Sequence, residues 1–227
     1  MNIAVFGTGM VGKTIAGKLS ELGHDIKIGT RDVNKTLART EPDTFGNPPI
    51  SEWLKDHQKV QLTAFAKAAA HGELIINATS GTASLSALES AGEDNLKDKV
   101  LIDIANPLDF SKGMPPILTV CNDNSLGEQI QKAFPSVKVV KTLNTTNAQV
   151  MINPAQVGNG DHHMFICGND AGAKAKVSGY LKEWFGWKHI IDLGDISNAR
   201  GTEMLLPIWV RLYGALQTPM FNFKIVQ

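Results

Sequence analysis

Residues 2–12 read Asn2-Ile3-Ala4-Val5-Phe6-Gly7-Thr8-Gly9-Met10-Val11-Gly12. A short apolar run meets three glycines spaced Gly-x-Gly-x-x-Gly, and a helical pattern, Met10–Leu22, begins inside the motif. The spacing has a physical cause: Gly7 permits a tight strand-to-helix turn, Gly9 removes the Cβ that would hold a diphosphate away from the backbone, and Gly12 lets the helix pack closely. The N–H groups of Gly9, Met10 and Val11 then face an anion at the positive end of the helix dipole. Six residues alone are a weak signal; between a strand and a helix they predict a dinucleotide crevice.

Outward from this motif, short apolar runs alternate with helical patterns. Strands are expected at 3–6, 26–28, 74–77, 100–104, 137–140 and 164–167, and helices at 10–22, 63–70, 84–91, 126–134 and 171–185. The strands are apolar throughout, as burial on both faces requires, and the alternation predicts an α/β fold, a Rossmann-type doubly wound parallel sheet with a small C-terminal extension. Residues 41–58, with Pro42, Gly46, Pro48 and Pro49, read as an insertion with its own short helix over Ile50–Gln58. Periodicity weakens after about residue 149, so 1–149 is read as the dinucleotide domain and 150–227 as a smaller part completing the site. That part ends in a helical pattern, Ala199–Tyr213, and a strand-like tail, Met220–Val226.

The second strand should end near Ile28-Gly29, where a carboxylate would accept hydrogen bonds from the adenosine ribose of NAD. Here Thr30-Arg31 follows, with Lys35 four residues on. A guanidinium, a hydroxyl and an ammonium suit a 2′-phosphate, which predicts NADP over NAD. Asp32 would repel that phosphate and is read as an outward-pointing helix N-cap. Later strand ends carry Asn77-Ala78-Thr79-Ser80-Gly81, Ala105-Asn106-Pro107 and Lys141–Ala148, small and polar loops suited to the nicotinamide half.

Composition narrows the classes. Lys plus Arg equal Asp plus Glu at 22 each, so no global field favours nucleic acid or an anionic membrane surface. The apolar stretch Met204–Leu216 is broken by Pro207 and Arg211 and falls short of the roughly 18 residues of a span. No basic-then-apolar leader precedes Gly7, and the chain is read as cytoplasmic. Cys121 and Cys167 have no metal or redox spacing, and the adjacent His162-His163 would point to opposite faces of a strand, so no metal is expected. Trp184-Phe185-Gly186-Trp187 and Trp209 with Tyr213 are read as an interface cluster, and Leu205, Leu206, Ile208, Trp209 and the apolar tail suggest a homodimer through the C-terminal region.

From Gly7 to Arg31, at Asn77–Gly81, at Asp103–Pro107, at Val140–Asn144 and into Gly194–Met204, the chain resembles the F420-dependent NADP oxidoreductase family over nearly its whole length. It looks closest to the bacterial branch, and its first part is similar to the reductase domain of the STEAP ferric reductases. The resemblance implies hydride transfer between NADP(H) and F420 or another ring-type acceptor such as a flavin. It implies phosphate contacts from Thr8, Gly9, Met10 and Val11, 2′-phosphate contacts from Thr30, Arg31 and Lys35, and nicotinamide-side contacts from Ala78, Thr79, Asn106, Pro107 and Ala148. Asn144 and Thr145 would line the place where the second ring stacks; the archaeal members carry a histidine where Asn144 stands. Hydride transfer between rings needs orientation rather than a general acid, so no catalytic side chain is assigned. The rival reading is a redox sensor that binds NADP(H) and catalyses nothing.

Overall fold

A computed structural model describes residues 1–43 and 46–227. The strands are β1 (Asn2–Phe6), β2 (Asp25–Thr30), β3 (Gln61–Ala64), β4 (Leu74–Asn77), β5 (Val100–Asp103), β6 (Leu108–Asp109), β7 (Ile117–Leu118), β8 (Lys138–Thr142), β9 (His163–Cys167) and β10 (His189–Asp192). Strands β6 and β7 make a separate antiparallel ribbon, and the other eight form one sheet in the order β10-β9-β8-β5-β4-β1-β2-β3. The pairs within that sheet are parallel except β8 with β9. The chain therefore reverses its strand order beside β1, and the crevice between the carboxyl ends of β1 and β4 is where such sheets take ligands.

Side chains alternate across each strand, so the sheet divides the apolar residues into two cores. Ile3 and Val5 of β1 join Ile26, Ile28, Leu74 and Ile76 on one face, under Ile15 and Leu19 of the helix Met10–Glu21. Ala4 and Phe6 face the other way and pack with Phe65, Ile75, Leu88 and Ile130. Burial of each large aliphatic side chain contributes about 1.5–3 kcal/mol, and both faces are covered, as continuous apolarity requires.

Residues 150–227 continue the same sheet through β9 and β10. The expected helix 171–185 is α-helical over Ala171–Tyr180 and widens to a π-turn over Leu181–Phe185, stopped by Gly186 in the left-handed conformation. The final helical pattern is broken at Leu205 into Ala199–Met204 and Leu206–Leu216, with proline in the first turn of the second piece.

Two expectations are corrected. The aromatic run 184–187 is not a surface cluster throughout: Phe185 and Trp187 are core residues, Trp187 Nε1 donates to the Met151 carbonyl at 2.9 Å, and Trp184 is half-buried and stacks on Tyr180. The tail 220–226 is not a strand. It is irregular and crosses the start of β9, with His163 N donating to the Phe223 carbonyl at 2.9 Å and Ile225 N to His163 Nδ1 at 3.2 Å. His162 spends both ring nitrogens inside the fold, on the Pro154 carbonyl at 3.0 Å and on Asn222 Nδ2 at 2.8 Å. Among the described residues no helix is long and apolar enough to cross a membrane.

The helix Leu126–Ala133 carries a test of its own. Ser125 Oγ accepts from Glu128 N at 3.1 Å, and Arg200 grips the Glu128 carboxylate through Nε at 2.8 Å and Nη2 at 2.6 Å. The Arg200 hydrogen bond is the main reason the Glu128 carboxyl lies below its ordinary pKa, against an opposing effect of burial. A carboxylate whose folded pKa is depressed stabilises the fold above its unfolded pKa, and that contribution is lost as pH falls through the folded value. Arg200→Ala should lower Tm at pH 7 by about 2–4 °C, for a contribution of about 1 kcal/mol. The gap from wild type should close below about pH 4, as thermal melts across that range would show.

Candidate active site

Where β1 ends, Gly7 takes φ +116°, and a Cβ there would sit 2.4 Å from the Ala78 carbonyl oxygen. The turn is thus jammed against the loop after β4. At Gly12 a Cβ would meet the Gly7 carbonyl at 2.2 Å, while at Gly9 it would meet nothing within 4 Å. The first and third glycines serve the fold, and the second leaves room for something outside it. Gly9 caps the helix Met10–Glu21 with no side-chain hydrogen bond, so the first-turn N–H groups are available to an anion.

On one side of the turn lies a crevice of about 400 Å³, walled by Gly7, Thr8, Gly9, Thr30, Arg31, Lys35 and Ala78 among others. Asp32 caps the short helix Val33–Leu37, its Oδ1 accepting from Lys35 N at 3.0 Å, which is the role its position suggested. Thr30 is buried, with its hydroxyl 2.9 Å from that of Thr36. Arg39, which sequence reasoning missed, shares the wall with Arg31 and Lys35. The helix Val33–Leu37 between them holds Lys35 alone of the three, so Arg31 and Arg39 reach that wall from the turns at its two ends.

The insertion walls a neighbouring cavity of about 610 Å³ together with Thr8, Gly9, Lys13 and Arg39. Its helix spans Ile50–Asp56, and its residues 44 and 45 lie outside the described residues. Lys13 is nearly buried and donates to the Pro48 carbonyl, tying the insertion to the first helix. Burial pulls the Lys13 pKa below its ordinary value, with Asp43 opposing.

On the other side, a crevice of about 510 Å³ is lined by Gly9, Met10, Val11, Ala78, Thr79, Asn106 and Phe110 among others. Thr79 is fixed by donating to Asn77 Oδ1 at 2.7 Å, and Asn77 donates to Asp103 Oδ1 at 2.8 Å. A Cβ on Gly81 would meet the Asn106 carbonyl at 2.1 Å, so the loops after β4 and β5 touch backbone to backbone. Met10 and Phe110 leave apolar surface exposed beside these loops, a wall on which a flat ring can lie.

Four expected contacts lie one step back from these walls. Pro107, Asn144, Thr145 and Ala148 line none of the three crevices. Asn144 Nδ2 donates to Asn106 Oδ1 at 2.9 Å and Asn106 Nδ2 donates to the Asn144 main-chain carbonyl at 2.8 Å, clasping the β5 and β8 ends together. Leu143, just before, holds φ +62°, a left-handed conformation that costs a non-glycine residue about 1–3 kcal/mol and recurs at ligand sites. Beyond it, the Thr145 and Thr146 hydroxyls are buried without a hydrogen-bond partner. Ala148 opens the helix Ala148–Ile152, capped by Asn147. Among the described residues no metal-binding cluster is formed.

Comparison with known proteins fits this geometry. The sequence model of a family described as NADP oxidoreductase, coenzyme F420-dependent, matches residues 2–107. A crystal structure from Arthrobacter sp. FB24, provisionally named an F420-dependent NADP-reductase, is 57% identical, has a TM-score of 0.94, and covers 100% of both chains. The F420-dependent NADP reductase of Methanothermobacter marburgensis is 28% identical over 216 residues, 93% of this chain and 92% of that protein. A reductive aminase from Aspergillus terreus, solved with NADPH and ethyl levulinate, matches at a TM-score of 0.62 and 15% identity over 95% of this chain and 62% of its own. That last likeness is one of fold alone.

Proposed function

This chain belongs to the F420-dependent NADP oxidoreductase family, and from that premise we propose that it transfers a hydride between NADP(H) and coenzyme F420. The observation that carries the reading is the division of labour among three glycines: the Cβ-free space at Gly9 lies on the wall of all three crevices, and the one beside β2 carries Arg31, Lys35 and Arg39 around Asp32, whose carboxylate caps a helix. NADP fits that set. Its diphosphate would lie against the N–H groups at Gly9, Met10 and Val11 with Thr8 beside it, and its 2′-phosphate among Thr30, Arg31, Lys35 and Arg39. Bound there, the nicotinamide supplies or receives the hydride. Ala78 gives its ring close approach, Thr79 and Asn106 orient its carboxamide, and Pro107 and Ala148 back that wall.

The acceptor ring would lie over Met10 and Phe110, with Asn144 and Thr145 behind that wall, holding in place the loops on which it rests. Asp109 on that wall is held below its ordinary pKa by hydrogen bonds from the Ser111 N–H and hydroxyl, both at 2.8 Å. It remains a carboxylate at neutral pH and supplies no proton. The protein's contribution is therefore position and exclusion of water. In this reading residues 1–149 hold the dinucleotide, 150–227 complete the acceptor side and offer a homodimer face, and the enzyme works in the cytoplasm.

Incubation of the pure protein with NADPH and F420, FMN, FAD, riboflavin or a ferric chelate, followed at 340 nm, tests the proposal. Turnover is expected with F420. Turnover with a flavin alone would reassign the acceptor, and tight NADPH binding with no turnover would favour the sensor.

A further inference from the structure

Lys141 sits on β8 with no exposed surface. An ammonium in that position is costly unless each N–H finds a partner and the charge is matched. Three partners are present: Asp103 Oδ2 at 2.8 Å, Glu203 Oε1 at 2.9 Å and the Ala105 carbonyl. Burial opposes the charge, but the two carboxylates outweigh it and raise the pKa, so the ammonium persists through neutral pH. Stability alone is a poor reason for such a cluster, because apolar side chains of similar volume often stabilise as well or better.

Each partner leads to a different part of the site. Asp103 Oδ1 accepts from Asn77 Nδ2, and Asn77 Oδ1 accepts from Thr79, so one branch sets the loop after β4. Ala105 lies in the loop after β5, on the same wall and next to Asn106. Glu203, on the helix Ala199–Met204, accepts from Leu126 N at 2.8 Å and Gly127 N at 3.0 Å. We propose that Lys141 is a positioning residue that fixes the spacing of the two loops beneath the nicotinamide and ties both to the C-terminal helices, without touching the ligand. The proposal rests on the dinucleotide reading above. It assigns residues after 199 a part in setting the reactive end of the cofactor.

The adenosine half provides an internal control, because 2′,5′-ADP occupies only the crevice beside Arg31. Dissociation constants for 2′,5′-ADP and NADPH would be measured in wild type and Lys141→Met at a temperature where both are folded. The 2′,5′-ADP affinity should stay within about twofold. The extra affinity that NADPH gains from its nicotinamide half should collapse, and hydride transfer to the best acceptor should fall about a hundredfold, the scale of a small misplacement of reacting groups. Should Lys141→Met fail to fold, Asp103→Asn/Lys141→Met/Glu203→Gln removes the unpaired charges and carries the same comparison. Equal weakening of both ligands, or no change in either, overturns the proposal. A wild type that binds NADPH but turns over no acceptor would defeat the functional reading alone, since the affinity ratio still decides the role of Lys141.

Discussion

Gly9→Val is expected to abolish measurable NADPH binding while shifting Tm by no more than about 2 °C, a change worth under about 1 kcal/mol in a chain of this size. Gly9 has φ −77° and ψ −176°, extended values open to any residue, and a Cβ built on it meets no atom within 4 Å. The protein itself has no need of glycine there. Only a ligand pressed against the backbone does, and a branched side chain would hold a diphosphate off the first-turn N–H groups. Hydrogen bonds to charged groups contribute about 1.5–3 kcal/mol each, so losing two of them weakens binding beyond about a hundredfold. The flanking glycines should behave in the opposite way. At Gly7 and Gly12 an added Cβ would lie 2.4 and 2.2 Å from backbone carbonyl oxygens, so valine at either should lower Tm sharply. Paired melts and NADPH titrations separate the cases. A Gly9→Val protein that kept wild-type affinity within about threefold would show that the diphosphate lies elsewhere.

The motif was legible because its physics is local: a strand, a turn and a helix within 12 residues. Most of the buried strands were legible for the same reason, being short apolar runs such as Leu74–Ile76 before Asn77 and Val100–Ile102 before Asp103. Strand β3, Gln61–Ala64, escaped because Leu62 is its lone large apolar residue and the Ala-rich helix Phe65–His71 follows at once. Strand β10 lies at the sheet edge with two half-buried isoleucines between His189 and Asp192. The tail 220–226 alternates as a strand would, yet Asn222 spends its amide on His162 and on the His163 carbonyl, and no ladder forms. Tertiary partners decided the rest of the site. Asn106 and Asn144 are separated by 38 residues, and nothing near either predicts an amide clasp. The sequence pattern puts Lys141 in the loop 141–148, whereas it lies on β8, and the burial of Lys141 and Glu203 becomes visible only when β8 and the helix Ala199–Met204 come together.

Arg31→Ala should raise the NADPH dissociation constant by about 10–100-fold and leave that of NADH within about twofold, erasing most of the discrimination between them. At the end of β2 Gly29 and Thr30 precede Arg31, and the carboxylate that follows, Asp32, is engaged as a helix cap, its Oδ1 accepting from Lys35 N at 3.0 Å. A ribose 2′-hydroxyl would find only Asp32, already engaged as a helix cap, whereas a 2′-phosphate would find Arg31, Lys35 and Arg39 on one wall. One bidentate guanidinium–phosphate contact contributes about 1.5–3 kcal/mol, which sets the range. Because Arg31, Lys35 and Arg39 are all exposed, salt should screen them, so the NADPH advantage should shrink as ionic strength rises well above 0.1 M. Lys35→Ala and Arg39→Ala should each lose less, because an ammonium is a point charge and Arg39 lies beyond the helix end at Leu37. Thr30→Val should cost only a few-fold, since the hydroxyl already has Thr36 at 2.9 Å. The measurement is a pair of titrations on each variant at two salt concentrations. If Arg31→Ala weakened NADPH and NADH by the same factor, the guanidinium would be holding something the two cofactors share, and the specificity would have to be sought at Lys35 and Arg39.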